Sequence, residues 1–491
     1  FVSTRAFSAG AILSAASLAL YWTQPDRISP VPVLYWVTQN DPVKRETIRL
    51  FKIWLEDNGL PPVEVKIDNA NQDPTKKLAQ GLAGVGADLF DIYNTQQELF
   101  ASSGMLMDVT DQARELGFSS DETYPALRED IMFDGRQYGF PRNAAGAATW
   151  INTETFARYG IPEPNYRWTW DKFEEIGRKF VTAANPPGTR ERKYFMQVVS
   201  LVSLRRGLGL STFNETMTKC ILDDPRNAEV MRRYYRWVVE LRLVPTLAEQ
   251  QAMSANSAMA GDGIFYLFAQ GRYAMLQLPR WALIRLRVQG DLPLRVVEPM
   301  NSGYSNTEFS CGMVSVYTGS KHPVEAVRFL QFLASEPFNL LIARSGDSLP
   351  PVPKYVHTEE FLHPANHPNE WAAQEVFTRV APEIGIATAR SPFVISGVVY
   401  RTDTQIAQSV IAGQLTPEEA GREHAALLNA EIARSIRSND KLRTRYEDLL
   451  KVQQKIDERR AQGLPVPLAW ISNPFHQTYY KAMGWLEEPQ S

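Results

Sequence analysis

Residues 31–37 form a short apolar run, VPVLYWV, with proline at its edge and Asn40-Asp41-Pro42 just beyond. A run of that length between turn-forming residues predicts a buried parallel strand followed by a helix start. Over 43–58, Val43, Thr47, Leu50, Phe51, Trp54 and Leu55 recur at helical spacing, and Gly59 supplies the stop. The segment 63–67 (VEVKI) predicts the next strand, 74–84 a helix, 87–93 (ADLFDIY) a third strand and 96–104 a helix ending at glycine. Three strand–helix units in about 80 residues point to a doubly wound parallel sheet. Ligands meet such sheets at the loops after the carboxyl ends of the strands, here 38–41 and 93–96.

Ahead of this pattern lies a membrane signal. Arg5 precedes an uncharged stretch of 17 residues from Ala6 to Trp22. As a helix it would span about 25 Å, a little short of a bilayer core. A basic flank, an apolar run and then polar residues describe a secretory signal or a signal anchor. Tyr21 and Trp22 close the run where a small-x-small cleavage site would be needed, and an aromatic pair suits the membrane interface. An uncleaved membrane anchor, an apolar helix at 6–22 within a leading segment 1–30, is therefore expected. The body would sit on the periplasmic or extracellular face.

Composition narrows the function classes. Lys+Arg 52 against Asp+Glu 55 leaves a net charge of −3, which offers no basic footprint for nucleic acid. Two distant cysteines, Cys220 and Cys311, exclude a disulfide scaffold and a Cys-rich metal site. Six histidines, of which only His363 and His367 stand within four residues of each other, argue against a His-based metal site, so neither metal nor cofactor is expected. The signatures of serine hydrolases, zinc peptidases and P-loop nucleotidases are missing from the sequence, and Gly207-Leu208-Gly209 lacks the third glycine of a dinucleotide loop. The paired carboxylates of a glycosidase cannot be picked out among 55 acidic residues. No enzyme is expected.

From Tyr138 onward an ordered series of short motifs accumulates. Tyr138-Gly139-Phe140-Pro141 precedes Ile151-Asn152-Thr153-Glu154-Thr155-Phe156, where Asn152 can cap a helix. Trp168-Thr169-Trp170-Asp171-Lys172-Phe173 follows, with Thr169 as the next cap. Gln270-Gly271-Arg272-Tyr273-Ala274-Met275 and Trp281 come later. Then come Ser320-Lys321-His322-Pro323-Val324-Glu325-Ala326 and Thr416-Pro417-Glu418-Glu419-Ala420. Over residues 33–434 the order and spacing of these motifs resemble family 1 extracellular solute-binding proteins of carbohydrate ABC importers, the maltose-binding-protein type. The resemblance implies an α/β periplasmic-binding-protein fold of two lobes, with hinge crossings near 141–145, 309–312 and 345–351. Lobe one would hold 31–141 and 309–346, lobe two 142–308 and 347–438. It also implies binding rather than catalysis, a ligand in the cleft between the lobes, and an ABC permease as the partner that receives the closed form.

A sugar shows hydroxyl edges and flat CH faces, so its site needs aromatic platforms and planar polar side chains in a concave cleft. The candidates after the first strand are Trp36, Gln39, Asn40 and Asp41; after the third they are Tyr93, Asn94 and Gln96. Arg142 and Asn143 lie at the first crossing, where Arg142 could instead pair with a carboxylate across the hinge. Trp281 stands where the resemblance implies a stacking tryptophan, with core packing as its other role. Tyr304 and Arg344 complete the set expected to hold a mono- or oligosaccharide.

Near Arg434 the family pattern ends. Residues 440–460 are highly charged, with Leu442, Tyr446, Leu449, Leu450 and Ile456 on one stripe. This predicts a helical C-terminal extension, 439–491, packed on lobe two. Residues 464–485 carry Pro465, Pro467 and clustered aromatics, which suits an extended strap over the body's own surface or a partner's. Ala144, Ala145 and Ala147 stand near the first hinge, where the family often has acidic residues. Together with the anchor and the tail, they leave a second function open: an anchored, repurposed binding-protein fold serving as an interaction subunit of a membrane complex.

Overall fold

A computed structural model describes residues 31–255 and 263–487. The expected anchor at 6–22 lies outside them. Among the described residues no helix is long and apolar enough to cross a membrane.

Strands β1 (Val33–Val37), β2 (Glu64–Asp68) and β3 (Leu89–Tyr93) run parallel in the order β2-β1-β3. Each is followed by a helix: Pro42–Asp57, Pro74–Leu82 and Asn94–Ser102. Side chains alternate along a strand, so Leu34 and Trp36 share one face of β1. Both are buried with Phe51, Trp54, Phe329 and Phe332, which are aromatic residues of the flanking helices. A small hairpin, β4 (Met132–Phe133) and β5 (Arg136–Gln137), precedes β6 (Phe140–Gly146).

The remaining strands are β7 (Ala148–Asn152), β8 (Tyr194–Met196), β9 (Tyr273–Leu278), β10 (Leu294–Val297), β11 (Thr307–Val316) and β12 (Gly385–Ala387). They complete two sheets. The first has six strands, with β11 antiparallel to β6 along one edge and bound along the other to β12 and then β3. The second has the order β10-β7-β9-β8. Asn152 and Thr169 cap helices Thr153–Arg158 and Trp170–Ala184 as their chemistry predicts.

The passages between sheets fall elsewhere than expected. The first is at 146–148 rather than near 141–145, because β6 stays paired with β11 as far as Gly146. The return runs through 298–306, so β11 begins before residue 309. The third comes later than 345–351, since Val352 and Tyr355 still pack in the first lobe's core. Helix Trp371–Arg379 then covers β10, and β12 returns to the first sheet. Helices Ser396–Ile411 and Pro417–Ser438 follow, and Ile406, Ala407, Val410 and Ala420 join the core of the second lobe.

The extension lies on the second lobe. Helix Asp440–Ala461, capped by Asn439, packs Leu442, Tyr446 and Leu449 near Phe393 and Ile432, and Ile456 against Ile471 and Tyr480. Its anchor point is Glu215, buried in the second lobe, which accepts from Gln453 Nε2 at 2.8 Å, Arg460 Nη1 at 2.6 Å and the Tyr480 hydroxyl. The extended strap expected over 464–485 is instead partly helical. Asn473 caps Pro474–Met483, Pro474 occupies the first turn, and the pairs Phe475/Tyr479 and His476/Tyr480 stand one turn apart.

Candidate functional site

At the carboxyl ends of β1 and β3 several of the strand-end candidates are engaged by neighbouring residues that were not candidates. Trp36 is not a platform: it is 1% exposed, its Nε1 donates to Asp91 Oδ1 at 2.8 Å, and its ring meets Phe329 edge-on. Its place inside β1, on the same face as Leu34, turns it into the core. Asp41 is a helix cap, accepting from the Lys44 backbone N–H. Asn40 is exposed and accepts from Arg45 at 2.8 Å, beside exposed Gln39. Helix Asn94–Ser102 starts at Asn94, whose side chain lies outside the described residues; the Oε1 of half-buried Gln96 has no hydrogen-bond partner among the described residues.

Three candidates, Tyr93, Arg142 and Asn143, do come together. The Arg142 guanidinium lies over Gly312 of β11, 3.2 Å from Asp91 and 3.7 Å from Asp347. It donates to the hydroxyl of Tyr93, which is 43% exposed. Burial works against its charge, but Asp91, Tyr93 and Asp347 outweigh burial and raise its pKa. Asn143 donates to Asp347 at 2.9 Å and accepts from the Gly312 N–H. The alternative role for Arg142, pairing with carboxylates, is the one observed.

Three other candidates lie away from this cluster. Trp281 is half-buried, edge-on to Phe265, at the start of helix Ala282–Leu286. Its neighbour Arg280 fixes the turn. Buried Arg280 donates to Gln374 Oε1, Ser348 O and Ala343 O and lies over the Phe361 ring, and burial pushes its pKa down to about 9. Tyr304 packs edge-on against Phe475 and Tyr479 of the extension. Arg344 is exposed on helix Glu336–Ser345, which packs on Pro42–Asp57, away from the strand ends.

The cleft opens further along β11. Alternation puts Glu308, Ser310 and Gly312 on one face. Glu308 and Ser310 line a cavity of about 270 Å³, and Glu308 also lines a neighbouring one of about 290 Å³. Val202, Glu308, Tyr400 and Asp403 line both, so the two are adjacent. Tyr400 is 75% exposed.

Helix Leu201–Gly207, capped by Ser200, presents Arg205 and Arg206, both buried. Arg205 binds Asn227 and pairs with Asp403 at 2.7 Å. Arg206 donates one nitrogen to Ala387 O, and its Nη1 has no hydrogen-bond partner among the described residues. Burial lowers its pKa while Glu308 opposes the shift. The Glu308 carboxylate accepts no hydrogen bond from the described residues. His424 lines the cavity, and neither of its nitrogens is hydrogen-bonded among the described residues; burial and then Arg205 bring its pKa down to about 4, against the pull of Asp403.

On the opposite side Arg390 reaches the first lobe. It donates to Gln97 and to the Glu129 carbonyl and pairs with buried Asp130. None of Arg205, Arg206, Glu308, Arg390, Tyr400 and Asp403 belongs to the strand-end loops that pointed to a site. The tandem Arg205-Arg206 within Leu201-Val202-Ser203-Leu204 and Leu208 was the one legible signal, since two adjacent charges in an apolar helix need partners.

Both cysteines are free and buried, and burial raises each thiol to about 12. Among the described residues no three His, Cys, Asp or Glu side chains converge to hold a metal.

Two α/β lobes, crossing strands and a polar cleft between them define a two-lobed solute-binding protein. The family model described as bacterial extracellular solute-binding protein matches residues 60–338, more than half of the 491 residues, and the chain belongs to that family. No curated protein matches the sequence significantly.

Solved structures share the fold. The substrate-binding protein Lmo0181 of Listeria monocytogenes, in complex with cycloalternan, superposes with a TM-score of 0.68 at 19% identity, over 82% of this chain and 99% of that one. A Thermotoga lettingae solute-binding protein bound with α-D-tagatose gives 0.65 at 18%, over 82% and 100%. UgpB of Mycobacterium tuberculosis, in complex with glycerophosphocholine, gives 0.65 at 16%, over 82% and 99%.

Proposed function

We propose that the protein is an extracytoplasmic receptor that binds a carbohydrate in the cleft between its lobes and delivers it to an ABC permease. The observation that carries this reading is the cleft's chemistry. An exposed Tyr400 ring stands beside a carboxylate, Glu308, and a guanidinium nitrogen of Arg206, both without hydrogen-bond partners among the described residues. A carboxylate and a guanidinium together accept from and donate to vicinal hydroxyls, while an aromatic ring covers a sugar's CH face. Ser310, Ser391 and Thr212 add hydroxyls to the same wall. Arg142 and Tyr93, joined by a hydrogen bond at the strand ends of the first lobe, and Asn143 and Gln96 would add further polar contacts. Family membership and relatives that hold cycloalternan and tagatose support the same ligand class.

Closure would turn on the passages at 146–148 and 298–306 and on the run into β12, a few residues absorbing the change. Residues 6–22 would tether the body to the membrane; the native protein should then stay with membranes through a carbonate wash, and release with a mature N-terminus beyond Trp22 would overturn the tether.

The receptor reading is tested by thermal shift against neutral mono-, di- and trisaccharides. A true ligand at a hundredfold excess over its Kd stabilises by about 2.7 kcal/mol. Tyr400→Ala should weaken binding tenfold or more with little change in melting temperature. A panel in which no sugar raises the melting temperature refutes the reading.

A further inference from the structure

A larger cavity, of about 730 Å³, lies outside the cleft between the second lobe and the C-terminal extension. Small-molecule sites occupy about 300–1,000 Å³. One wall is a single face of helix Asp440–Ala461, carrying Tyr446, Leu450, Gln453, Asp457 and Arg460 at alternating spacings of four and three. Helix Pro417–Ser438 supplies Asn429, Ile432 and Ile436 opposite, and Trp485 closes one end. We propose that this cavity is a second binding site, for a neutral oligosaccharide of two or three rings.

Charge and chemistry select that class. Glu215, Asp224 and Asp457 face the cavity with Lys219, Arg226 and Arg460, so its formal charge is balanced. Glu215 takes Arg460, and Asp224 takes Arg226 at 2.8 Å. That leaves the Lys219 ammonium without a partner among the described residues and the Asp457 carboxylate holding only the Gln453 amide. A strongly charged ligand finds no net counter-charge, and an apolar one would strip water from these groups without replacing it. A sugar's hydroxyls satisfy both.

The ring faces are present too. Trp485 is 44% exposed and held nearly perpendicular to Tyr479 at 5.8 Å and steeply inclined to Tyr480 at 5.4 Å. An independent sign is His476: it lines the cavity, is only 4% exposed, and its Nδ1 has no hydrogen-bond partner among the described residues. A buried polar nitrogen facing a polar void needs a ligand group or water.

The test titrates the full chain by calorimetry with maltotriose, cellotriose, xylotriose and chitotriose. It is repeated with Tyr400→Ala, which removes the cleft platform, and with Trp485→Ala and Asp457→Ala. The expected result is one trisaccharide whose affinity survives Tyr400→Ala within twofold and falls tenfold or more in Trp485→Ala. Asp457→Ala, at a solvent-exposed position of the cavity wall, gives the same reading should Trp485→Ala melt early. Binding lost only with Tyr400→Ala belongs to the cleft; it overturns the second site and leaves the receptor reading standing. Free tyrosine or phenylalanine binding through Trp485, with all four trisaccharides inert, also overturns the proposal, as does no Trp485- or Asp457-dependent binding at all.

Discussion

At the scale of single residues, the decisive fact is which charges have partners. Arg142 stands between Asp91 and Asp347, and each of these carboxylates is buried. Removing one member of a buried ionic group leaves the others uncompensated, at about 3–5 kcal/mol. Arg142→Met should therefore lower the unfolding free energy by about that amount in urea at pH 7; a loss under about 1 kcal/mol would mean the three groups are solvated as an exposed pair is. The buried histidines give a pH dependence. His424 and His476 are each held down to about 4 by burial, with Asp403 and Arg205 facing the first and Glu215 and Arg460 the second. The unfolded chain takes up these protons near pH 6.5 and the folded one does not, so stability is full above 6.5 and declines toward 4. At pH 5 each histidine costs about 2 kcal/mol. Urea midpoints at pH 7 and 5 should differ accordingly, and the double variant His424→Asn, His476→Asn should flatten the difference.

The same scale shows where the sequence misleads. Asp41 and Trp36 have the residue types of a sugar site, but capping and strand parity claim them first. Both claims are local rules and could have been weighed. The cleft groups Glu308, Arg390 and Tyr400 obey no local rule; their convergence depends on pairings such as Thr307 with Gly385, far apart in sequence.

At the scale of elements, periodic segments were legible and short strands were not. The three strand–helix units and the stripe on 440–461 follow from spacing that one element carries by itself. β12 has three residues and β4 two, too few for a pattern, and they exist because β11 and β5 pair with them. Helix Pro474–Met483 was hidden by its prolines, although Pro474 suits a first turn behind the Asn473 cap. Its seating depends on Gly209, at φ +74°, where a Cβ would strike the Tyr479 hydroxyl. Removing residues after Asn439 strips Gln453, Arg460 and Tyr480 from buried Glu215. The truncated chain should melt roughly 5–10 °C lower, as a loss of several kcal/mol requires. An unchanged melting temperature would show that the extension rests on the lobe without supporting it.

At the scale of the whole molecule, two of the buried arginines that tie the lobes differ in kind. Arg280 spends its guanidinium on Gln374, Ser348 and Ala343, all close to the pivot between β9 and the first lobe, so it can hold through a hinge motion. Arg390 instead reaches over the cleft cavity to Gln97, Glu129 and Asp130, contacts that opening must break. A third tie, Arg445 with Asp134 at 3.2 Å, joins the extension to the hairpin of the first lobe, but both partners are about half exposed and such pairs contribute about 0–1 kcal/mol. Arg390 would therefore act as the latch. Without it Asp130 keeps, among the described residues, only the Cys311 N–H, and the closed arrangement loses the charge that neutralises it. Arg390→Met should shift the ligand-free protein toward the open form, raising its radius of gyration in small-angle scattering. It should also weaken sugar binding, because a ligand must then draw on a smaller closed population. Arg445→Ala serves as the contrast and should leave both measurements within error. Equal radii for the wild type and Arg390→Met, with unchanged affinity, would show that lobe closure is governed at the pivot by Arg280 rather than across the cleft.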